Sequence, residues 1–98
     1  MEINEYVKEC HKIALEHGFW EKSTSIPTKL MLIITEISEA CEADRHGDEE
    51  NFHEELADVF IRLFDLIGWL DEDINIEEEI QKKMKINEKR PRLHGKRY

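Results

Sequence analysis

NFHEELADVFIRLFDLIGWL, residues 51–70, is the stretch that decides the fold. At about 100° per residue, Phe52, Leu56, Val59, Phe60, Leu63 and Ile67 fall on one side of a helix. Glu55 and Asp58 run along one border of that apolar stripe. Asn51, with Glu54 three residues later, reads as a capping box, so the spacing predicts a helix from about Phe52 to Leu70.

The neighbouring segments read the same way. Upstream, Pro27 suits the first turn of a helix that runs to about His46 and stops at Gly47. Its stripe is Leu30, Ile33, Ile37, Ala40 and Cys41, again with two acids, Glu36 and Glu39, at the border. Asp48-Glu49-Glu50 is expected as a short acidic connection. A first helix is expected from Ile3 to about His17, carried by Ile3, Val7, Cys10, Ile13 and Ala14 and stopped by Gly18. Phe19 to Ser25 reads as a loop. Downstream, Asn75 with Glu78 caps a fourth helix from about Ile76 to near Lys89, and Pro91 ends it.

Four helices with short connections predict an all-α fold, a bundle in which sequential helices are antiparallel neighbours. No repeat or linker divides the chain, so residues 1–98 are expected to form a single domain with a basic tail from about residue 90. The fourth helix is the least autonomous element. Its stripe is only Ile76, Ile80 and Met84, with Ile86 to one side, which predicts late packing or packing against a partner subunit.

Size supports the same expectation. The chain has 98 residues and a mass of 11.7 kDa, 40% of its residues are apolar, and 38% are charged. A domain of this length buries only roughly 60–70% of its unfolded surface, so oligomerisation would supply stability that a lone chain lacks. The net charge of −9 is unevenly placed. Residues 1–79 hold 6 Lys+Arg against 22 Asp+Glu, a balance of −16, whereas residues 80–98 hold 8 against the single Glu88, a balance of +7.

Several function classes fall away. An acidic body argues against a general nucleic-acid binder. No apolar run approaches the 18 or so residues that span a bilayer. The N-terminus, Met1-Glu2-Ile3-Asn4-Glu5, is acidic, unlike a signal peptide. Cys10 and Cys41 lie in apolar helical contexts without CxxC or Cys/His ligand spacing, which predicts buried, reduced thiols in a cytoplasmic protein.

The acid pairs carry the chemistry. Glu36 with Glu39, and Glu55 with Asp58, are each three residues apart and so lie one turn apart on one helical face. Packed stripes would bring both pairs together beside the core, where four partly desolvated carboxylates repel one another unless a cation is present. Oxygen ligands of this kind select Mg²⁺ or Mn²⁺ over softer metals. Acid pairs at helical spacing also occur on solvated faces, and spacing alone leaves both readings open. Glu42, one turn beyond Glu39, is the remaining acid with a claim on the cluster.

The tail supplies the opposite charge. Lys85 and Lys89 suit the last turn of a helix through its dipole. That does not account for Arg90, Arg92, Lys96 and Arg97, which continue past it and suit phosphate oxygens. Nucleic-acid binding and a disordered tail are the alternatives.

Glu36-x-x-Glu39 followed by Glu55-x-x-Asp58 resembles the paired acidic motif of the MazG-like all-α nucleoside triphosphate pyrophosphohydrolases. Gly18-Phe19-Trp20, Glu54-Glu55-Leu56-Ala57-Asp58-Val59 and Asn87-x-x-Arg90-Pro91-x-x-His94-Gly95-Lys96 extend the resemblance over most of the chain. It implies a helical bundle completed as a homodimer or homotetramer, acting on nucleoside triphosphates between the α and β phosphates. The products would be a monophosphate and pyrophosphate, in a house-cleaning or pool-control role. By the same resemblance, Glu36, Glu39, Glu55 and Asp58 would be catalytic and hold Mg²⁺. Lys85, Arg90, His94, Lys96 and Arg97 are expected to contact phosphate, with Phe19 and Trp20 offering a stacking face to the base. Thr35 departs from the pattern, since the family motif often begins with two adjacent glutamates.

Two other readings stand beside this one. One is a non-catalytic helical module whose acids hold a structural cation and whose tail contacts a protein or nucleic acid. The other is the phosphoribosyl-ATP pyrophosphatase of histidine synthesis, whose acid motifs are similar but which the Arg-Pro…His-Gly-Lys ending fits less well.

Overall fold

The computed structural model describes residues 1–70 and 74–97. Helix α1 spans Ile3–Glu16, α2 Ile26–Arg45, α3 Glu49–Leu70 and α4 Ile76–Glu88, followed by a short 3-10 turn at Arg92–Gly95. Tyr98, the last residue of the expected tail, lies outside the described residues. The fold is all-α. No helix is long and apolar enough to cross a membrane among the described residues.

The helix ends follow their capping chemistry. Ser25 Oγ accepts from the Thr28 amide at 3.2 Å, with Pro27 in the first turn of α2. Asn75 Oδ1 accepts from the Glu78 amide at 3.1 Å, as the sequence predicts. Gly18 stops α1 at φ +81°, in the left-handed region that glycine enters without steric cost. One start differs from expectation. Helix α3 begins at Glu49, because Asp48 is the capping residue: its Oδ1 accepts from the Asn51 amide at 3.1 Å. Asp caps as well as Asn does, and Glu49 and Glu50 then sit in the first turn, where acids favour the helix dipole.

Helix α3 is the central element, with α2 along one side and α1 along another. Between α2 and α3 lie only His46, Gly47 and Asp48, so the chain reverses sharply. The pairings follow: Glu36 meets Arg62, and Glu39, further along α2, lies beside Glu55, earlier on α3. Tyr6 stacks on Phe64 where α1 crosses α3, with ring centroids 6.2 Å apart. Gly68 permits a close approach, since a Cβ there would stand 2.7 Å from His11 Cβ. Helix α4 packs only lightly, against α1.

The apolar stripes exceed what one chain can cover. Among the described residues, the buried hydrophobic ones are Val7, Ala14, Ile33, Ala40, Ala43 and Leu66, and half of these are alanines. Leu30, Ile37, Cys41, Leu56 and Phe60, expected in the core, are exposed, as is Trp69 at 47%. The reason is geometric. Helix α2 carries apolar side chains around more than one face, and α3 can occupy only one of them. The cysteines are corrected in the same way: Cys41 is exposed and Cys10 half-buried, and both are free thiols.

Candidate metal centre and adjoining cavity

The helical spacing brings three of the four expected acids together. Carboxylate oxygens of Glu36, Glu39 and Glu55 lie within 4.8 Å of one another. Glu36 is buried, Glu55 half-buried and Glu39 exposed, so the cluster opens from the α2/α3 seam towards solvent. Asp58, one turn beyond Glu55, stands outside this group and is exposed at the edge of the adjoining cavity.

The three carboxylates are not equivalent. Glu36 Oε1 accepts from Arg62 Nε at 2.7 Å. Burial, the largest single influence, opposes ionisation of Glu36, but the hydrogen bond and charge of Arg62, together with hydrogen bonding from Glu55 and Glu39, hold the carboxyl below its usual range. Burial, followed by hydrogen bonding and charge from Glu39 and Glu36, pushes Glu55 up to about 7. Glu55 Oε2 is shielded from water and has no hydrogen-bond partner. One guanidinium facing three acids leaves the cluster net negative, with an unsatisfied buried oxygen. A hard divalent cation fits both features.

Two concavities flank the cluster. The larger, about 400 Å³, has an apolar wall that includes Ile13, Phe19 and Ile61, with Glu36, Asp58, Arg62, Lys29 and Asp65 as its polar groups. The smaller, about 300 Å³, holds Glu39, Glu55 and Glu42. Glu42 is engaged in exposed pairs with Arg45 at 3.2 Å and His46 at 3.5 Å. Thr35 takes no part in the cluster; its hydroxyl donates to the Met31 carbonyl at 3.1 Å, one turn back along α2.

Beside the larger cavity is a polar network that the sequence reading missed. Asp65 Oδ1 is bonded to His11 Nδ1 at 2.8 Å and accepts from Trp20 Nε1 at 2.9 Å. Trp20 stacks on Trp69 with centroids 4.8 Å apart and planes 6° apart, and Lys29 Nζ lies 4.1 Å from the Trp20 ring centroid. His11 thus ties α1 to α3. These partners lie 45 and 54 residues from Asp65, so no local spacing signals them. Of the two expected aromatics, Phe19 is 59% exposed on the cavity wall, whereas Trp20 is committed to this stack.

The tail residues lie elsewhere. None of Lys85, Arg90, His94, Lys96 and Arg97 lines either concavity. Arg90 Nη1 and His94 Nδ1 are 3.4 Å apart, and among the described residues no tail cation pairs with the four acids.

Compared with models of known families, residues 25–94 match the MazG nucleotide pyrophosphohydrolase domain. This chain belongs to the MazG family. Comparison with curated proteins and with solved structures gave no match. The MazG match takes in α2, the acid pairs, α3, α4 and most of the 3-10 turn, and so runs into the tail as far as His94. Helix α1 lies outside it, although Cys10, Ile13 and Ala14 help to wall the larger cavity.

Proposed function

We propose that the protein is a Mg²⁺-dependent nucleoside triphosphate pyrophosphohydrolase that yields a nucleoside monophosphate and pyrophosphate. The observation that carries this reading is the Glu36–Glu39–Glu55 cluster opening beside a 400 Å³ cavity in a MazG chain. Glu36, Glu39 and Glu55 would hold Mg²⁺, with Asp58 as the fourth carboxylate; Mn²⁺ suits the same donors. Bound there, the ion supplies positive charge to offset the triphosphate and polarises a phosphate oxygen.

The chain's own groups account for the remaining needs. The apolar wall and Phe19 receive the base, with Trp20 holding the loop behind it. Arg62 keeps Glu36 ionised, and Lys29 adds a cation at the cavity. In the reaction, a water oxygen bonds to the α-phosphorus, the bond from that phosphorus to the bridging oxygen breaks, and pyrophosphate leaves with the electron pair. The proton lost from water passes to a carboxylate of the cluster.

The lone chain also supports assembly as a homodimer or homotetramer. It exposes 8096 Å², against about 5,900 Å² for a compact monomer of its mass. Much of the surplus is apolar, including Leu30, Met31, Ile34, Ile37 and Phe60. Two free thiols and nucleotide substrates suit a cytoplasmic site of action.

Product analysis tests the reaction. Purified protein with a panel of nucleoside triphosphates and Mg²⁺ should release pyrophosphate from at least one, and Glu55→Gln should abolish turnover while leaving helicity by circular dichroism unchanged. Orthophosphate as the sole product, or no turnover across the panel, would overturn the reading and favour a non-catalytic cation-binding module.

A further inference from the structure

The contacts that Asp65 makes within the fold use only one of its two oxygens. Oδ1 takes both neighbours, the His11 ring at 2.8 Å and the Trp20 indole N–H at 2.9 Å. Two partners fill the two lone pairs of that oxygen. Oδ2 has no hydrogen-bond partner among the described residues, yet it is not sealed away from open space. The side chain as a whole is only 13% exposed, and Asp65 lines the larger cavity. A mostly buried carboxylate oxygen thus stands in the wall of a cavity whose lining is otherwise largely apolar. An ionised carboxylate can only accept, and a shielded acceptor costs free energy until a donor reaches it.

The other charged groups of the cavity are already engaged. Lys29 Nζ donates to the Phe19 carbonyl at 3.1 Å and lies over the Trp20 ring. Arg62 Nε donates to Glu36 Oε1, which belongs to the acid cluster. Asp58 lies one turn from Glu55, at the cluster end of the cavity. Asp65 follows Asp58 by seven residues, so the helical rise sets it about 10 Å further along α3. The cavity therefore has two ends. One adjoins the acid cluster. The other holds Asp65, tied through Trp20 to the loop that carries the exposed ring of Phe19. A nucleotide has the matching layout, with phosphate at one end and the hydrogen-bonding edge of a flat base at the other.

We propose that Asp65 reads the base, accepting through Oδ2 from an exocyclic amino group, so that triphosphates of amino-bearing bases are taken and their deaminated counterparts rejected. Cytosine and adenine offer an amino donor where uracil and hypoxanthine carry a carbonyl oxygen. Deamination leaves size and outline nearly unchanged, so the apolar wall alone cannot separate the members of each pair. Against Oδ2, a carbonyl sets two acceptors face to face with no proton between them, and neither recovers the water it gave up. Deamination also puts a proton on the neighbouring ring nitrogen, but a base seated for its amino group would have to slide sideways to offer it. His11 and Trp20 hold the carboxylate in one orientation, which sharpens the refusal of a carbonyl. The direction in which the nucleotide lies along the cavity rests on the pyrophosphohydrolase reading.

Binding of uncleavable nucleotides tests base recognition apart from turnover. The α,β-methylene triphosphates of deoxycytidine, deoxyuridine, deoxyadenosine and deoxyinosine are titrated calorimetrically into the full-length protein with Mg²⁺. The deoxycytidine and deoxyadenosine compounds should bind at least about tenfold more tightly than their deaminated partners. Asp65→Asn keeps an oxygen for the Trp20 indole but offers the cavity a donor, and it should reduce or reverse each preference. Equal affinity within either pair in the wild type would overturn the proposal, a comparison that stands even if Asp65→Asn does not fold. So would Asp65→Asn weakening all four compounds equally, which is what a purely structural Asp65 predicts. Binding of none of the four would overturn the proposal and the pyrophosphohydrolase reading together. A base preference in a protein that releases no pyrophosphate would retain the role of Asp65 and lose only the reaction.

Discussion

Within the acid cluster, Arg62 is the leading influence that keeps Glu36 charged. It holds Glu36 below the usual carboxylate range, while Glu55, facing Glu36 and Glu39, keeps its proton up to about pH 7. In metal-free protein, Glu55 therefore binds more proton when folded than when unfolded between pH 4.5 and about 7, and stability falls as pH rises through that window. Glu36 has the opposite sign: its contribution is present above pH 4.5 and is lost on acidification below it. The melting temperature of metal-free protein is expected to fall from about pH 5 to about pH 8, with Mg²⁺ raising it most at the higher value. Glu55→Gln should flatten both trends. A Mg²⁺ response that is equal in wild type and Glu55→Gln would remove Glu55 from the metal centre. Arg62→Met, which leaves a buried acceptor without its donor, should cost about 1–3 kcal/mol at neutral pH by chemical denaturation. The acids were legible because three-residue spacing fixes a shared face whatever the helix packs against. Arg62 was not legible as the partner of Glu36, because that pairing depends on the register of α2 against α3.

At the scale of elements, Gly68 shows tertiary packing overriding helix propensity. Ala is the better helix former by about 1 kcal/mol. At this position, however, its Cβ would meet His11 Cβ at 2.7 Å and the Val7 carbonyl at 3.2 Å. Gly68→Ala should therefore destabilise the protein by about 1–3 kcal/mol, read from the denaturation midpoint, by forcing α1 away from α3. An unchanged or higher midpoint would mean that α1 shifts at no cost. The helices themselves were readable from periodicity and caps to within a few residues. The largest error, the start of α3, arose because Asp48 and Asn51 are both competent caps and only the observed bond chooses between them.

For the whole molecule, the alanine-rich interior and the open apolar faces are the basis on which assembly is proposed to supply stability. A protein whose native state is an oligomer melts at a temperature that rises with concentration, whereas a monomer's does not. We expect that dependence here, with light scattering giving a dimeric or tetrameric mass. Ile34, half-exposed on α2, offers a local probe. Ile34→Glu would be nearly silent in a monomer but should lower the assembled mass and abolish the concentration dependence. An intact oligomer with this substitution would exclude that face from the interface.

Local periodicity by itself determined the four helices, the all-α class and the pairing of acids on single helical faces. Those features depend on neighbours three or four residues apart and on backbone geometry that every helix shares. Tertiary structure decided which three carboxylates meet, that Arg62 neutralises one of them, and that Asp65 joins His11 to Trp20. It also decided that much of each apolar stripe stays uncovered. These outcomes depend on register and crossing between helices distant in sequence, where a displacement of one turn exchanges one set of partners for another.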